Sequence, residues 1–164
     1  GARGGPAGVD GYGGVTGRTK VGHSYSIQIM ADTGAVFGGE HSAHYYFARN
    51  FNADSGLIAS LMVMAEVGRS GGPLSAVRAP FERYSASGEI NTQVDDAAAV
   101  MEQISAAHSE HDQDRLDGLT VDCGDWWFNL RPSNTEPLLR LNVEADDEEA
   151  CAARVAEVQA LIDQ

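Results

Sequence analysis

LTVDCGDWWFNLRPSNTEPLLRLNVE, residues 119–144, is the stretch whose period decides the fold. Leu119, Val121 and Cys123 alternate with Thr120 and Asp122, as a half-buried strand requires. Gly124-Asp125 is a tight turn, and Trp126–Leu130 returns as a partner strand. Leu139, Leu141 and Val143 alternate with Arg140, Asn142 and Glu144 and predict a third strand. Helical patterns flank this run. Asp95 and Asp96 open a helix, where negative charge suits the positive end of the helix dipole. Val100, Met101, Ile104 and Ala107 fall on one face of it. Asp146 opens the last helix with Glu149 three residues on, as in a capping box. Its apolar stripe is Cys151, Val155, Val158 and Ile162. Glu82–Ile90 alternates weakly, as a strand would. From about Phe81 the order is therefore β-α-β-β-β-α, a small antiparallel sheet with helices on one face.

Upstream the pattern is different. Residues 1–17 are rich in Gly and poor in bulky apolar side chains, and read as a disordered head outside any core. Ser24 is placed to cap a helix over Tyr25–Ala31, with Gly34 ending it. Ala35-Val36-Phe37 reads as a strand entering Gly38-Gly39, and His44–Phe47 as another. Asp54 opens a helix over Ser55–Val67, apolar on nearly all faces and so expected to be buried. Leu74–Pro80 is expected to add a turn or two. Three segments result: 1–17, 18–80 and 81–164.

The 164 residues carry a formal charge of −13, with ten arginines and a single lysine, Lys20. Such a field repels nucleic acid and anionic membranes, so neither is expected as a partner. No apolar run reaches the roughly 20 residues of a membrane span, and no signal-peptide pattern is visible. Cys123 and Cys151 have neither metal nor redox spacing, which favours a reduced, cytoplasmic setting. An anion site in this chain has to assemble its positive charge locally.

Leu130-Arg131-Pro132-Ser133-Asn134-Thr135-Glu136-Pro137 meets that requirement. Arg131 can fork onto a phosphate, Ser133 and Thr135 add hydroxyls, Asn134 adds an amide, and the two prolines stiffen the loop. Arg140 lies one strand away and can add charge. An ordinary polar turn accounts for the same residues about as well. Gly38-Gly39-Glu40-His41-Ser42-Ala43-His44 offers an acceptor and a donor–acceptor at alternate positions, a mixture suited to sugar hydroxyls. A solvated turn explains it too.

Arg131-Pro-Ser-Asn-Thr-Glu-Pro resembles the phosphate-binding loop in the last domain of the α-D-phosphohexomutases, and residues 124–144 as a whole look like that family. Asn134 is similar to the phosphomannomutase/phosphoglucomutase members, where phosphoglucosamine mutases tend to carry Gly. The resemblance implies that Arg131, Ser133, Asn134 and Thr135 hold the phosphate of a phosphosugar, a mannose or glucose 1- or 6-phosphate. The Gly38 loop resembles the family's Gly-Gly-Glu-x-Ser-Gly-His, which implies that Glu40 and Ser42 read ring hydroxyls. His44 then lies near the transferred phosphate as a candidate for proton transfer, or as a structural loop histidine. Ala43 replaces the family's Gly. If that position needs positive φ, the exchange costs about 1 kcal/mol. Arg18–Ser24 resembles another third-domain segment, whose Lys20 and His23 would line the cleft.

By this resemblance, 18–80 is an α/β remnant of the third domain. Residues 81–164 form the α+β fourth domain, similar to the TATA-binding-protein fold. Residues 1–17 do not show the third domain's opening strand and helix. The family's reaction is reversible phosphoryl transfer between C1 and C6 of a hexose, through a phosphoserine with Mg²⁺. Its Thr-Ala-Ser-His-Asn-Pro and Asp-Gly-Asp-x-Asp-Arg loops do not occur here, so the chain has no ligands for the metal. Two readings follow: the substrate-gripping part of a mutase, or a non-catalytic phosphosugar-binding or interaction module. An incomplete third domain would also expose apolar surface around the helix at Leu57–Val67.

Overall fold

The structure is a computed structural model that describes residues 9, 13–40, 42–133 and 136–164. It divides into two compact units, residues 1–82 and 83–164.

In the second unit, β4 (Ser85–Ala86) and β5 (Ile90–Gln93) precede α4 (Ala97–Ala107), and β6 (Asp112–Asp114), β7 (Leu119–Asp122), β8 (Trp127–Pro132) and β9 (Leu138–Ala145) lead to α5 (Glu148–Ile162). The sheet is antiparallel in the order β4-β9-β8-β7-β6, with β5 also on β9. Leu130 stands opposite Leu141, and Phe128 opposite Val143. These residues join Leu119, Val121, Ile104, Cys151, Val158 and Ile162 in one core. Helices α4 and α5 therefore cover the sheet face that carries the period-2 apolar residues.

The alternation in 119–144 produces three strands, as expected, but the sheet is larger than the expected order. The additional β6 is Asp-Gln-Asp, with no apolar alternation, and pairing with β7 alone makes it a strand. The expected strand over Glu82–Ile90 is two strands, β4 and β5, interrupted at Ser87-Gly88-Glu89. Asp147 caps α5 by accepting from Ala150 N, so the cap lies one residue past Asp146 and Glu149 falls in the first turn. Asp96 caps α4 through Ala99 N. His108 rather than Ala107 takes the buried place at that helix's end.

The first unit holds α1 (His23–Thr33), then β1 (Phe37–Gly39), β2 (Tyr45–Phe47) and β3 (Ala53–Asp54) in a three-stranded antiparallel sheet, then α2 (Gly56–Ser70) and α3 (Leu74–Arg78). Ser24 does not cap α1. The helix begins two residues earlier behind Gly22, with no side-chain cap, and ends on Gly34 at φ 69°. Asp54 closes β3 and leaves the capping of α2 to Ser55, which accepts from Ile58 N. Gly68 lies inside the helix, and Gly71 terminates it.

Helix α2 is not buried. Leu57, Leu61, Met62, Val63 and Met64 are all exposed, Leu57 at 72%. A sheet of two- and three-residue strands is too small to cover a helix of 15 residues. The expected apolar surface is present, and the expected burial is absent among the described residues. No helix of the described residues is long and apolar enough to cross a membrane.

Gly118 ties the β6–β7 connection to β8. Its φ is +75°, and a Cβ there would stand 2.2 Å from the Leu130 carbonyl oxygen. Gly118→Ala is expected to destabilise the second unit by at least about 2 kcal/mol, from a left-handed alanine and a backbone clash together. Chemical denaturation checks this, and an unchanged midpoint would sink it. Hydrogen exchange is expected to be faster throughout α2 than in β7, β8 and β9, because few buried contacts oppose local opening of α2.

Candidate functional site

The residues singled out from the sequence fall in two polar constellations, one in each unit. In the second unit, the register that sends Leu130 and Leu141 into the core sends Arg131 and Arg140 to the opposite face, directly across from one another. Their side chains are 27% and 30% exposed. Arg140 Nη2 donates to Ser133 Oγ at 3.4 Å, and Ser133 N donates to the Leu138 carbonyl at 2.8 Å, which closes the base of the loop. Two carboxylates face the pair. Glu89 lies 3.6 Å from Arg131 Nη2 and 3.5 Å from Arg140 Nη1, and Asp117 lies 3.7 Å from Arg131 Nη1. These separations allow Coulomb attraction without tight hydrogen bonds. Arg140 Nε is buried and has no hydrogen-bond partner among the described residues.

In the first unit, Glu40 follows β1 and is the centre of a hydroxyl network. Its Oε1 accepts from Ser26 Oγ at 2.7 Å and from Tyr46 OH at 2.8 Å. Its Oε2 accepts from Ser42 Oγ at 3.1 Å. A hydroxyl has one proton to give. Ser42, donating to Glu40, accepts from His44 Nδ1 at 2.9 Å, and Tyr46, donating to Glu40, accepts from His23 Nδ1 at 3.3 Å. Both histidines are thus linked to one carboxylate through a hydroxyl. Asp54 stands 3.6 Å from His23 Nδ1. Burial alone would raise the Glu40 carboxyl, but the donors Ser26, Tyr46 and Ser42, with His44 nearby, outweigh it and hold the group below its ordinary value. Burial and the Glu40 carboxylate push the Tyr46 phenol up to about 12. Glu40 is a fixed anion whose Oε2 keeps acceptor capacity for a further hydroxyl.

The loop closes through Glu40 N to the His44 carbonyl at 2.9 Å and Ala43 N to the Glu40 carbonyl at 3.1 Å. Ala43 has φ 63°, the conformation in which its Cβ is disfavoured.

The family model for the phosphoglucomutase/phosphomannomutase alpha/beta/alpha domain III matches residues 5–84, and that for the family's C-terminal domain matches residues 89–161. The chain belongs to the phosphoglucomutase/phosphomannomutase family. The domain III match begins inside the Gly-rich head, so the likeness reaches further towards the N-terminus than the motifs from Arg18 onward. A phosphomannomutase of Methanocaldococcus jannaschii is 40% identical over 154 residues, which are 94% of this chain and 34% of the relative. Phosphohexose mutases of Xanthomonas campestris pv. campestris are 45% identical over 83% of this chain and 31% of theirs. The phosphomannomutase of Salmonella typhimurium is 41% identical over 95% of this chain and 35% of its own. The chain thus spans about a third of the length of these curated relatives. A phosphoglucomutase/phosphomannomutase family protein from Burkholderia thailandensis superposes with TM-score 0.81 over 98% of this chain and 35% of its own, at 24% identity, a likeness of fold.

The structure brings Glu40, Ser42, His44 and His23 of this family member into one network. Lys20 stays outside it, exposed and without a hydrogen bond or ion pair to another described residue. Arg131 and Ser133 share their face with Arg140, whereas Asn134 and Thr135 lie outside the described residues. Sequence reasoning passed over Ser26, Tyr46, Glu89 and Asp117. His23, Ser26 and Met30 recur at helical spacing, and that face of α1 packs so closely that a Cβ on Gly38 would meet Met30 Sδ at 3.1 Å. The spacing was a usable signal for Ser26. Tyr46 reads as one more apolar strand residue, because nothing in the sequence says its hydroxyl ends on Glu40.

Tyr46→Phe removes one donor from the carboxylate and is expected to raise the Glu40 pKa toward its ordinary value. The stabilisation from ionised Glu40 is present above the unfolded pKa and is lost as pH falls through the depressed folded pKa, so this window moves to higher pH in the variant. Carboxyl NMR titration checks the shift, and an unmoved midpoint would refute the network. Ala43→Gly is expected to stabilise the unit by up to about 1 kcal/mol, since only the alanine is disfavoured at this φ. A lower denaturation midpoint would show that some contact of Ala43 outweighs that relief.

Proposed function

We propose that this chain supplies the phosphosugar-holding part of a phosphomannomutase/phosphoglucomutase. The observation that carries the proposal is the pair Arg131 and Arg140, opposed on neighbouring strands beside the Arg131–Pro137 loop of an acidic chain. Two planar guanidinium groups on one sheet face match a phosphate dianion. In this reading Arg131, Ser133, Asn134 and Thr135 bind the substrate phosphate, with Arg140 adding charge. Glu40 and Ser42 accept and donate to ring hydroxyls. His44, joined to Glu40 through Ser42, shuttles a proton or steadies charge near the phosphate in transfer. Lys20 and His23 line the same sugar-reading region of residues 18–80, while residues 81–164 hold the phosphate.

The reaction proposed for the intact protein is reversible C1/C6 phosphoryl transfer on mannose or glucose phosphates in the cytoplasm. The phosphoserine and the metal loop implied by the family have no counterpart in this sequence. No three His, Cys, Asp or Glu side chains among the described residues are placed to hold an ion. The described residues therefore offer no site that fits Mg²⁺. What this chain contributes is orientation and charge, which dominate the protein's part in phosphoryl transfer.

Titration calorimetry with glucose 1-phosphate and mannose 1-phosphate tests the grip. Arg131→Ala is expected to weaken binding roughly ten- to a hundredfold, the loss of charge-assisted hydrogen bonds. Unchanged affinity would leave the loop a purely structural turn. The chain by itself is expected to give no turnover in a coupled mutase assay.

A further inference from the structure

Glu89 owes its position to one extra residue. Strand β4 pairs with β9 at Ala86 opposite Glu144, and β5 pairs with the same strand at Ile90 opposite Leu141. Between those pairs, Ser87, Gly88 and Glu89 stand against Asn142 and Val143 alone, which is a β-bulge. In an unbroken register Glu89 would fall opposite Leu141, on the core face. The bulge gives that place to Ile90 and turns Glu89 to the face of Arg131 and Arg140. The bulge is anchored: Ser87 N donates to the Val143 carbonyl at 2.9 Å, and Val143 N donates to Ser87 Oγ at 2.9 Å. Gly88 supplies the left-handed residue, φ 68°.

The Glu89 carboxylate sets one oxygen toward each guanidinium, 3.6 Å from Arg131 and 3.5 Å from Arg140. A phosphate held by both arginines needs that same bridging position. We propose that Glu89 is an internal counter-anion that occupies the phosphate site when it is empty and is displaced by the substrate phosphate. This rests on the assignment of Arg131 to phosphate binding. The backbone of Glu89 is fixed by the bulge, but its side chain is 38% exposed and has a path to solvent. Neither ion pair is close enough for a strong hydrogen bond, so the contact is readily exchanged. Glu89 thereby sets the affinity of the site for any phosphate monoester and favours dianions, which outcompete a single carboxylate for two arginines.

The test is titration of the whole chain with inorganic phosphate. Most substitutions in a binding site weaken it. Glu89→Gln keeps shape and removes one competing charge, and is expected to tighten phosphate binding roughly tenfold at low salt, with a smaller gain at high salt. Glu89→Ala is expected to shift affinity the same way. Unchanged or weaker binding in both variants, with Arg131→Ala still weakening binding, would overturn the counter-anion role and leave the phosphate site standing. If Arg131→Ala leaves phosphate affinity intact, the site assignment itself fails, and the counter-anion role with it.

Discussion

The pairing of β8 with β9 is the constraint on which the second unit depends. With Leu130 opposite Leu141 and Phe128 opposite Val143, the apolar residues of both strands meet α4 and α5. The same register places Arg131 opposite Arg140 on the other face. A slip of one residue would send every side chain of a strand to the wrong side: leucines to water and guanidinium groups into the core. Core and arginine-bearing face are therefore held by one ladder, and the hydrophobic term that fixes the core also fixes the arginines. The Gly118 contact with the Leu130 carbonyl reinforces this, since it brings Asp117 beside Arg131 through the backbone that holds β7 to β8.

The first unit solves a different problem with different means. Its sheet is too small to position a loop by burial, and the Glu40 loop is held by hydrogen bonds converging on one carboxylate. Ser26 comes from α1, Tyr46 from β2 and Ser42 from the loop itself. That network keeps Glu40 charged and aimed while Ala43 sits in a conformation that favours glycine. Local strain of this kind persists where the surroundings over-determine it. A carboxylate fixed in this way needs little reordering to accept a hydroxyl, and binding is correspondingly less opposed by side-chain entropy.

What could be read in the sequence follows from which interactions are periodic. The strands of 119–144 and the stripes of α4 and α5 were legible because burial on one face imposes a repeat. Strand β6 was not, because Asp112, Gln113 and Asp114 form a strand only through β7. The exposure of α2 could not be inferred from its composition, since an apolar helix states a need for cover and not whether cover exists. Adjacent Asp146 and Asp147 are equally good caps on paper, and only the chain path from β9 selects the second. The Arg131 loop was legible as a motif. Glu89 was not, because its face depends on a single-residue bulge three-dimensionally anchored by Ser87 and Val143.

The opposed arginine pair also bears on the stability of the sheet. Like charges directly opposite one another across two strands are destabilising. Arg131 and Arg140 hold that arrangement permanently, whereas the phosphate proposed as their ligand would be present only part of the time. The chain's charge of −13 offers a diffuse attraction, but exposed charges farther away than a Debye length are screened. Local carboxylates are required, and Glu89 and Asp117 are placed where they offset the repulsion. Counter-anions that bound too tightly would close the site, and their absence would strain the sheet. Ion pairs near 3.6 Å, on side chains about a third exposed, fall between those limits. Two opposed arginines on one sheet face thus call for a local carboxylate, and the bulge before β5 is the structural means by which this sheet places Glu89 there.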